Sequence, residues 1–356
     1  MLATENMFDI TRAEQSRVTE VDFDNIPFGR VFSDHMFSME YRDGKWGKGE
    51  ILPFQNLLMN PASSVIHYGQ SIFEGMKAFR QEDGNISLFR PLNNVERFNI
   101  SAERMCMPKI EESTFLKALH QLINIDSGWI PKNPNGALYV RPFMFAIDEY
   151  IGVKPSESYR FMIFTCPVGK YYTGDVKVKI ETRYARSMQG GTGYAKAAGN
   201  YAGALYPAKL AQEEGYQQLI WTDAIEHKYI EESGTMNVMF KTGNTIITPP
   251  VSETILKGIT RDSVLTLAKE WGYDVQERPV EFTEILDLAK AGKLDEAFGV
   301  GTAATIAPIS IIGYDGTDHE LPDASKREFG PRVSSALDAI KRGTAEDKHG
   351  WNYLIN

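Results

Sequence analysis

The chain has 356 residues, 42% hydrophobic and 24% charged, and its 38 basic against 47 acidic side chains leave a formal charge of −9. At about 150 residues per domain this length suggests two domains, with enough core to fold without disulfides or a structural metal. An acidic chain with no basic cluster argues against nucleic acid as a partner, and no apolar run approaches the ~20 residues that span a bilayer.

Only Cys106 and Cys166 are present, far apart and without metal-ligand spacing, which fits a reducing compartment. Residues 1–20 are polar and carry four acidic side chains, unlike a targeting peptide, so the cytosol is the expected location.

In chain order, Glu111 to Ile125 predicts a helix with Phe115, Leu116, Leu119, Leu122 and Ile123 on one face. Ala137 to Ala146 and Tyr159 to Val168 are apolar, aromatic and bounded by turn formers, so both read as buried strands around a loop at Ile147 to Ser158. The pattern breaks over Gly169 to Asp175, a connection between domains. Val176, Val178 and Ile180 then alternate with Lys177, Lys179 and Glu181, as in a half-exposed strand. Tyr201 to Glu214 reads as a helix closed by Gly215, with Pro207 able to kink it or delay its start.

Gln217 to Trp221, Met236 to Lys241 and Thr245 to Ile247 read as strands, the last two joined by a turn at Gly243 and Asn244. Thr260 is expected to cap a helix in which Val264, Leu267, Ala268 and Trp271 share a face, ended by Gly272. Thr283 starts another, and Pro331 is expected as the first helical residue of a C-terminal helix. There is no internal repeat. The organisation expected is a small N-terminal domain over 1–170, a linker at 171–183 and a larger C-terminal domain over 184–356. Both halves mix strands and helices (α/β, of the α+β type), with a cleft between them.

The densest chemical signal runs from Gly190 to Tyr201, three glycines and a threonine leading to Lys196. A phosphate-binding P-loop needs Ser or Thr directly after its lysine; Ala197 stands there, and no apolar strand precedes. A dinucleotide fingerprint fails because Lys196 occupies the place of the third glycine. The small neighbours of Lys196 leave its amine room to be buried, and burial favours the neutral, nucleophilic form that imine chemistry requires.

Three further segments qualify. Glu231 and Glu232 precede Ser233, Gly234 and Thr235, which alone would be a solvated turn. Gly258 to Arg261 is a helix start whose free N–H groups suit a phosphate. Phe298 to Ala304 is a Gly/Thr turn rich in backbone donors.

Taken together these segments resemble the branched-chain amino-acid aminotransferases, fold-type IV enzymes that use pyridoxal 5'-phosphate (PLP). The likeness runs from about Phe28 to Trp351. It takes in His67 to Gly69, Phe73 to Phe79, Leu88 to Pro91 and Leu138 to Pro142, then the Lys196 loop, Glu232 to Asn237, Gly258 to Arg261 and Gly301 to Ala303. The resemblance implies two mixed α/β domains with the cofactor in the cleft between them. It makes Lys196 the residue joined covalently to the cofactor aldehyde and the later proton shuttle.

It matches Glu232, five residues before Asn237, to the carboxylate that keeps the pyridine nitrogen protonated, with Glu231 as the competing assignment. Tyr201 matches the phenol beside the cofactor's phenolic oxygen. Arg97 matches the phosphate-binding arginine, with Arg186 near it. Ile259, Thr260 and Thr302 supply further phosphate donors, and Leu256 packs on one ring face.

The resemblance also implies transfer of the amino group from L-leucine, L-isoleucine or L-valine to 2-oxoglutarate. Phe28, Tyr68, Phe73, Tyr139 and Tyr171 match an aromatic substrate pocket, Arg141 would receive the distal carboxylate of glutamate, and Thr235 and Ala303 would face the α-carboxylate. Ile151 and Val153 match a loop that reaches the neighbouring subunit's site, which implies a homodimer. Two departures stand out: Ala304 and Ala307 replace a cysteine pair that some animal members use as a thiol switch, and Lys257 stands where relatives often carry proline. A D-amino-acid aminotransferase or aminodeoxychorismate lyase of the same fold is the alternative reading, and a cofactor-free binding protein a more distant one.

Overall fold

The computed structural model describes residues 8–169 and 174–355. Part of the expected connection at 169–175 therefore lies outside the described residues, as does Tyr171. The chain divides into two compact units: Met1–Tyr171 with Ala197–Gly199 and Ala339–Asn356 in one, and Tyr172–Lys196 with Asn200–Asp338 in the other.

The first unit is built on the two long apolar runs. Ala137–Ala146 and Tyr159–Val168 pair antiparallel over their full length, from Ala137 opposite Val168 to Ala146 opposite Tyr159. Around them the sheet runs Asp9–Ile10, Glu50–Pro53, His35–Arg42, Tyr159–Val168, Ala137–Ala146, Met76–Arg80, Ile86–Phe89 and Asn352–Ile355. Side chains alternate between faces. One face meets helices Pro91–Arg104 and Glu112–Ile125, where the ring of the buried Phe161 lies 5.5 Å from that of Phe98 and 5.1 Å from that of Phe115. Tyr139, Arg141, Phe143, Phe164 and Cys166 occupy the other face, in which burial pushes the Cys166 thiol up to about 11.

Asp34 and His35 tie down the N-terminal segment that carries Phe28. Asp34 accepts from Ser16 Oγ, Arg17 N–H and Trp129 Nε1, while His35 Nε2 accepts from Ala13 N–H and its Nδ1 lies 2.7 Å from Asp126.

The second unit is also a mixed sheet, in the order Ile230–Ser233, Gln218–Thr222, Val176–Glu181, Thr305–Tyr314, Glu296–Gly301, Asn237–Thr242, Thr245–Thr248 and Asp274–Glu277. Val176–Glu181 pairs parallel with both neighbours, so it is an interior strand, and residues 176–181 of the expected linker belong to the sheet. The tail beyond Ala339, expected with the C-terminal domain, belongs to the first unit because Asn352–Ile355 pairs antiparallel with Ile86–Phe89.

Several helix boundaries differ from expectation. The helix expected over 201–214 is two, Ala198–Gly203 and Leu205–Glu213: Pro207 has no N–H for the Gly203 carbonyl and its ring would collide with it, so the second helix starts close before the proline. The helix expected from Thr260 is Ile259–Glu270, with Gly258 at the cap and Thr260 inside the first turn. Phe282–Lys290 begins one residue before Thr283, after Glu281.

The C-terminal helix begins at Phe329, two residues before Pro331. A distant side chain sets that start: Glu296, 2% exposed, accepts the N–H groups of Glu328, Phe329 and Gly330 at 2.7–2.9 Å. A carboxylate on three orphan donors at a helix N-terminus is strongly favourable. Glu296→Ala is therefore expected to lower the unfolding free energy by about 2 kcal/mol, read as a lower midpoint in urea with the helix 329–341 losing amide-exchange protection first.

Candidate active site

The segment from Arg186 to Lys196 has no regular structure of its own, so other groups must satisfy its backbone. Arg186 Nη2 donates to the carbonyls of Gly193 and Thr254 at 3.1 and 2.5 Å, Ser187 Oγ donates to Thr254 O at 2.7 Å, and Tyr194 N–H to Glu253 O at 3.0 Å. This approach needs a glycine at 193, where a Cβ would lie 2.6 Å from Thr254 O. Asn200 Nδ2 closes the loop on the carbonyls of Thr192 and Ala195. The loop thus delivers Lys196 in one place, half-buried, with Nζ donating to Tyr201 Oη at 3.0 Å.

The neighbouring segment provides a carboxylate. Ile230–Ser233 is an edge strand and not a solvated turn, and Glu231 and Glu232 are 6% and 3% exposed. Glu232 Oε1 accepts from Leu256 N–H at 2.8 Å and, at a longer 3.4 Å, from Asn237 Nδ2, which also donates to Leu256 O. Glu232 Oε2 lies 3.0 Å from Arg186 Nε, close enough for an ion pair; the angle is poor for a hydrogen bond, so the attraction is chiefly coulombic. Burial raises the Glu231 carboxyl above the usual carboxylate range, opposed by the Thr254 hydroxyl and the Arg186 charge. Leu256 leads into the twelve-residue helix Ile259–Glu270, whose first turn holds buried Ile259 and Thr260, while Thr302 lies in the turn joining Glu296–Gly301 to Thr305–Tyr314.

Within the first unit a second charged group is buried. Arg97, 7% exposed on helix Pro91–Arg104, grips Glu74 through Nε and Nη2 at 2.7 and 2.9 Å, and Glu74 also accepts from Asn94 Nδ2 and Gly75 N–H. Arg97 is thus no surface residue. Gly75 makes room for the Tyr139 phenol, which a Cβ there would approach to 2.1 Å. Tyr139 accepts from Arg141 Nη2 at 3.0 Å and meets the Phe28 ring edge-on at 5.5 Å. The Arg141 guanidinium stacks over Phe73 at 4.8 Å and Tyr139 at 5.3 Å, and its Nε is a buried donor with no hydrogen-bond partner among the described residues.

The structure therefore gathers Lys196, Tyr201, Arg186, Glu232 and Leu256 through linked contacts in one unit, and Phe28, Phe73, Tyr139 and Arg141 in the other. Arg186, expected near the phosphate-binding arginine, lies against Glu232 and two carbonyls. Tyr68 is 43% exposed at the end of the short helix Ser64–Tyr68. Ile151 and Val153 are 68% and 90% exposed, and Thr235 is exposed while Ala303 is half-buried. Glu74 was not singled out by sequence; its signal was an acidic residue between Phe73 and Gly75 in a largely apolar stretch that also carries Lys77, where a buried charge requires a partner.

An amine beside a phenol, a buried carboxylate and a helix start form a donor set that fits PLP: a nucleophile for the aldehyde, a partner for the ring nitrogen and N–H groups for a phosphate. The family's sequence model, described as amino-transferase class IV, matches residues 71–312. The chain belongs to the class IV aminotransferases. Branched-chain-amino-acid aminotransferase 2 of Bacillus subtilis (strain 168) is 43% identical over 334 residues, which cover 93% of this chain and 92% of the relative. Branched-chain-amino-acid transaminase 1 of the same organism is 41% identical over 339 residues, covering 94% and 95%.

The crystal structure of the branched-chain amino acid aminotransferase from Escherichia coli matches with a TM-score of 0.72 at 25% identity, covering 91% of this chain and 99% of that one. The fold is thus that of the fold-type IV enzymes, and the protein is a PLP-dependent transaminase of the branched-chain aminotransferase group.

For this enzyme, Lys196→Ala is expected to leave no borohydride-fixed cofactor adduct in the intact mass, whereas the unaltered protein gains one on the peptide that carries Lys196. Gly75→Ala is expected to displace the buried Tyr139 ring and to lower the unfolding free energy by about 1–3 kcal/mol through overpacking, read as a lower melting temperature.

Proposed function

We propose that this transaminase moves the amino group reversibly between L-leucine, L-isoleucine or L-valine and 2-oxoglutarate. The observation that carries the reading is Arg141, stacked on Phe73 and Tyr139 with its Nε unsatisfied inside an aromatic setting. Aromatic walls favour a branched aliphatic side chain by burial, worth ~1.5–3 kcal/mol. This guanidinium, with its Nε unsatisfied, suits the distal carboxylate of glutamate, which would otherwise be costly to desolvate. The names of the Bacillus subtilis relatives point the same way.

When bound, PLP supplies the electron sink for α-carbon chemistry. In this reading Lys196 Nζ would hold the cofactor and would carry the proton taken from the substrate α-carbon. Tyr201 Oη, 3.0 Å away, fixes that amine's position. Glu232 keeps a proton on the ring nitrogen, and its own place is set by Leu256 N–H and Asn237. Ile259, Thr260 and Thr302 provide donors for the phosphate, and Leu256 a surface for the ring.

Arg97 takes its phosphate role from the family pattern, with Glu74 holding its guanidinium plane. Thr235 and Ala303 serve the α-carboxylate, and Tyr68 and Tyr171 take their substrate roles from the family pattern alone. A homodimer in the cytosol is part of the reading. Exposed Ile151 and Val153 offer apolar surface for a second copy, and Cys106 and Cys166 are both free thiols.

An amino-donor screen with 2-oxoglutarate, followed by the cofactor spectrum, tests this directly. Leucine, isoleucine and valine are expected to convert the cofactor fastest, and turnover of D-alanine with none of L-leucine would overturn the assignment in favour of the D-amino-acid reaction. Arg141→Gln should reduce kcat/KM for glutamate by roughly 10- to 100-fold while that for leucine changes much less, because only the acidic side chain loses a charge-assisted partner.

A further inference from the structure

Glu231 is buried yet has no role in the scheme above. Its side chain is 6% exposed, it accepts a hydrogen bond from the Thr254 hydroxyl, and its Oε2 has no hydrogen-bond partner among the described residues. A β-bulge explains how two adjacent carboxylates serve the same segment. Ile220 pairs with Ser233 and Thr222 with Ile230, so Glu231 and Glu232 together oppose Trp221 alone. Instead of pointing to opposite faces, Glu231 meets Thr254 and Glu232 meets Leu256 N–H.

The charges around this pair are uneven. Arg186 lies 3.0 Å from Glu232 and acts on Glu231 as well, while Asp223 adds a further negative field. If Glu232 stood alone with Arg186, its charge would be largely cancelled, and it would hold a proton on a neighbouring ring nitrogen poorly. With both carboxylates ionised, two negative charges face one guanidinium, and a protonated ring nitrogen brings the buried set to neutrality.

We propose that Glu231 is a positioning residue for the reaction: its carboxylate offsets Arg186, so that the charge of Glu232 remains available to keep the cofactor's ring nitrogen protonated. This rests on the reading of Glu232 as the ring-nitrogen partner. Burial, Glu232 and Asp223 all resist the ionisation of Glu231, while Thr254 and Arg186 favour it. The net resistance makes Glu231 costly to the protein without cofactor. A carboxyl whose folded pKa lies above its unfolded value costs stability as pH rises through the unfolded value, and that cost is absent below it.

The test uses holoenzyme reconstituted with PLP labelled with 15N in the ring, following the nitrogen's chemical shift against pH. In Glu231→Gln, which keeps shape and the Thr254 contact, the ring nitrogen is expected to lose its proton at a pH lower by roughly one to two units, the effect of one charge a few ångströms away in a partly buried site. Arg186→Gln is expected to move it the opposite way, and the double variant to return it towards the original value. The cofactor-free Glu231→Gln protein is expected to melt no lower than the unaltered one near neutral pH, its advantage fading as pH falls towards the ordinary carboxylate range.

An unchanged titration in Glu231→Gln, alongside a shifted one in Glu232→Gln, would overturn the proposal and leave the Glu232 reading standing. No shift in either variant would remove the Glu232 reading as well. Should Glu231→Gln fail to fold, Thr254→Val, which removes the donor that favours ionised Glu231, is expected to lower the ring-nitrogen titration in the same direction, and an unchanged titration there refutes the charge balance.

Discussion

The buried carboxyl group of Glu232 organises the second unit of this enzyme. A carboxylate 3% exposed must be paired, and its partners come from three separate stretches: Arg186 before the lysine loop, Leu256 before the helix Ile259–Glu270, and Asn237 at the head of a central strand. Each partner positions something else. Arg186 also holds the carbonyls of Gly193 and Thr254, which sets the loop that ends in Lys196; Asn237 holds the Leu256 carbonyl, which sets the approach to the helix start. One electrostatic requirement therefore places an amine, a carboxylate and a set of N–H donors together.

The first unit solves a similar problem by similar means. Glu74 is fully buried, and its bidentate contact with Arg97 leaves neither charge unpaired; removing one partner from such a pair costs more than the pair contributes over an apolar alternative. Next along the chain, Gly75 admits the Tyr139 phenol, and Tyr139 supports Arg141 over Phe73. Backbone, aromatic rings and guanidinium thus form one continuous arrangement on the sheet face opposite the helices. An arginine stacked on rings retains a strong field because the rings exclude water from it.

Much of this was legible in the residues themselves. The strands 137–146 and 159–168 could be read because long apolar and aromatic runs have few other stable states, and Lys196 stood out at the end of a glycine-rich loop that Ala197 disqualifies as a P-loop. Tyr201, five residues on, lies within reach of Lys196 through local chain geometry. The helix break before Pro207 was foreshadowed by the ring and missing N–H, though its place at Ala204 was not. The family pattern selected Glu232 over Glu231, but nothing local predicted that both would be buried on an edge strand.

The sequence by itself determined which residue types the chemistry uses, because periodicity, proline and glycine punctuation and short motifs act over neighbouring residues. Only the tertiary structure decided the partners: Glu74 with Arg97, Glu232 with Arg186, Glu296 with the start of helix Phe329–Lys341, and the return of Asn352–Ile355 to the first sheet. These pairings join residues far apart in the chain. They are set by strand register and by the need to neutralise charge away from water, neither of which a window of adjacent residues contains.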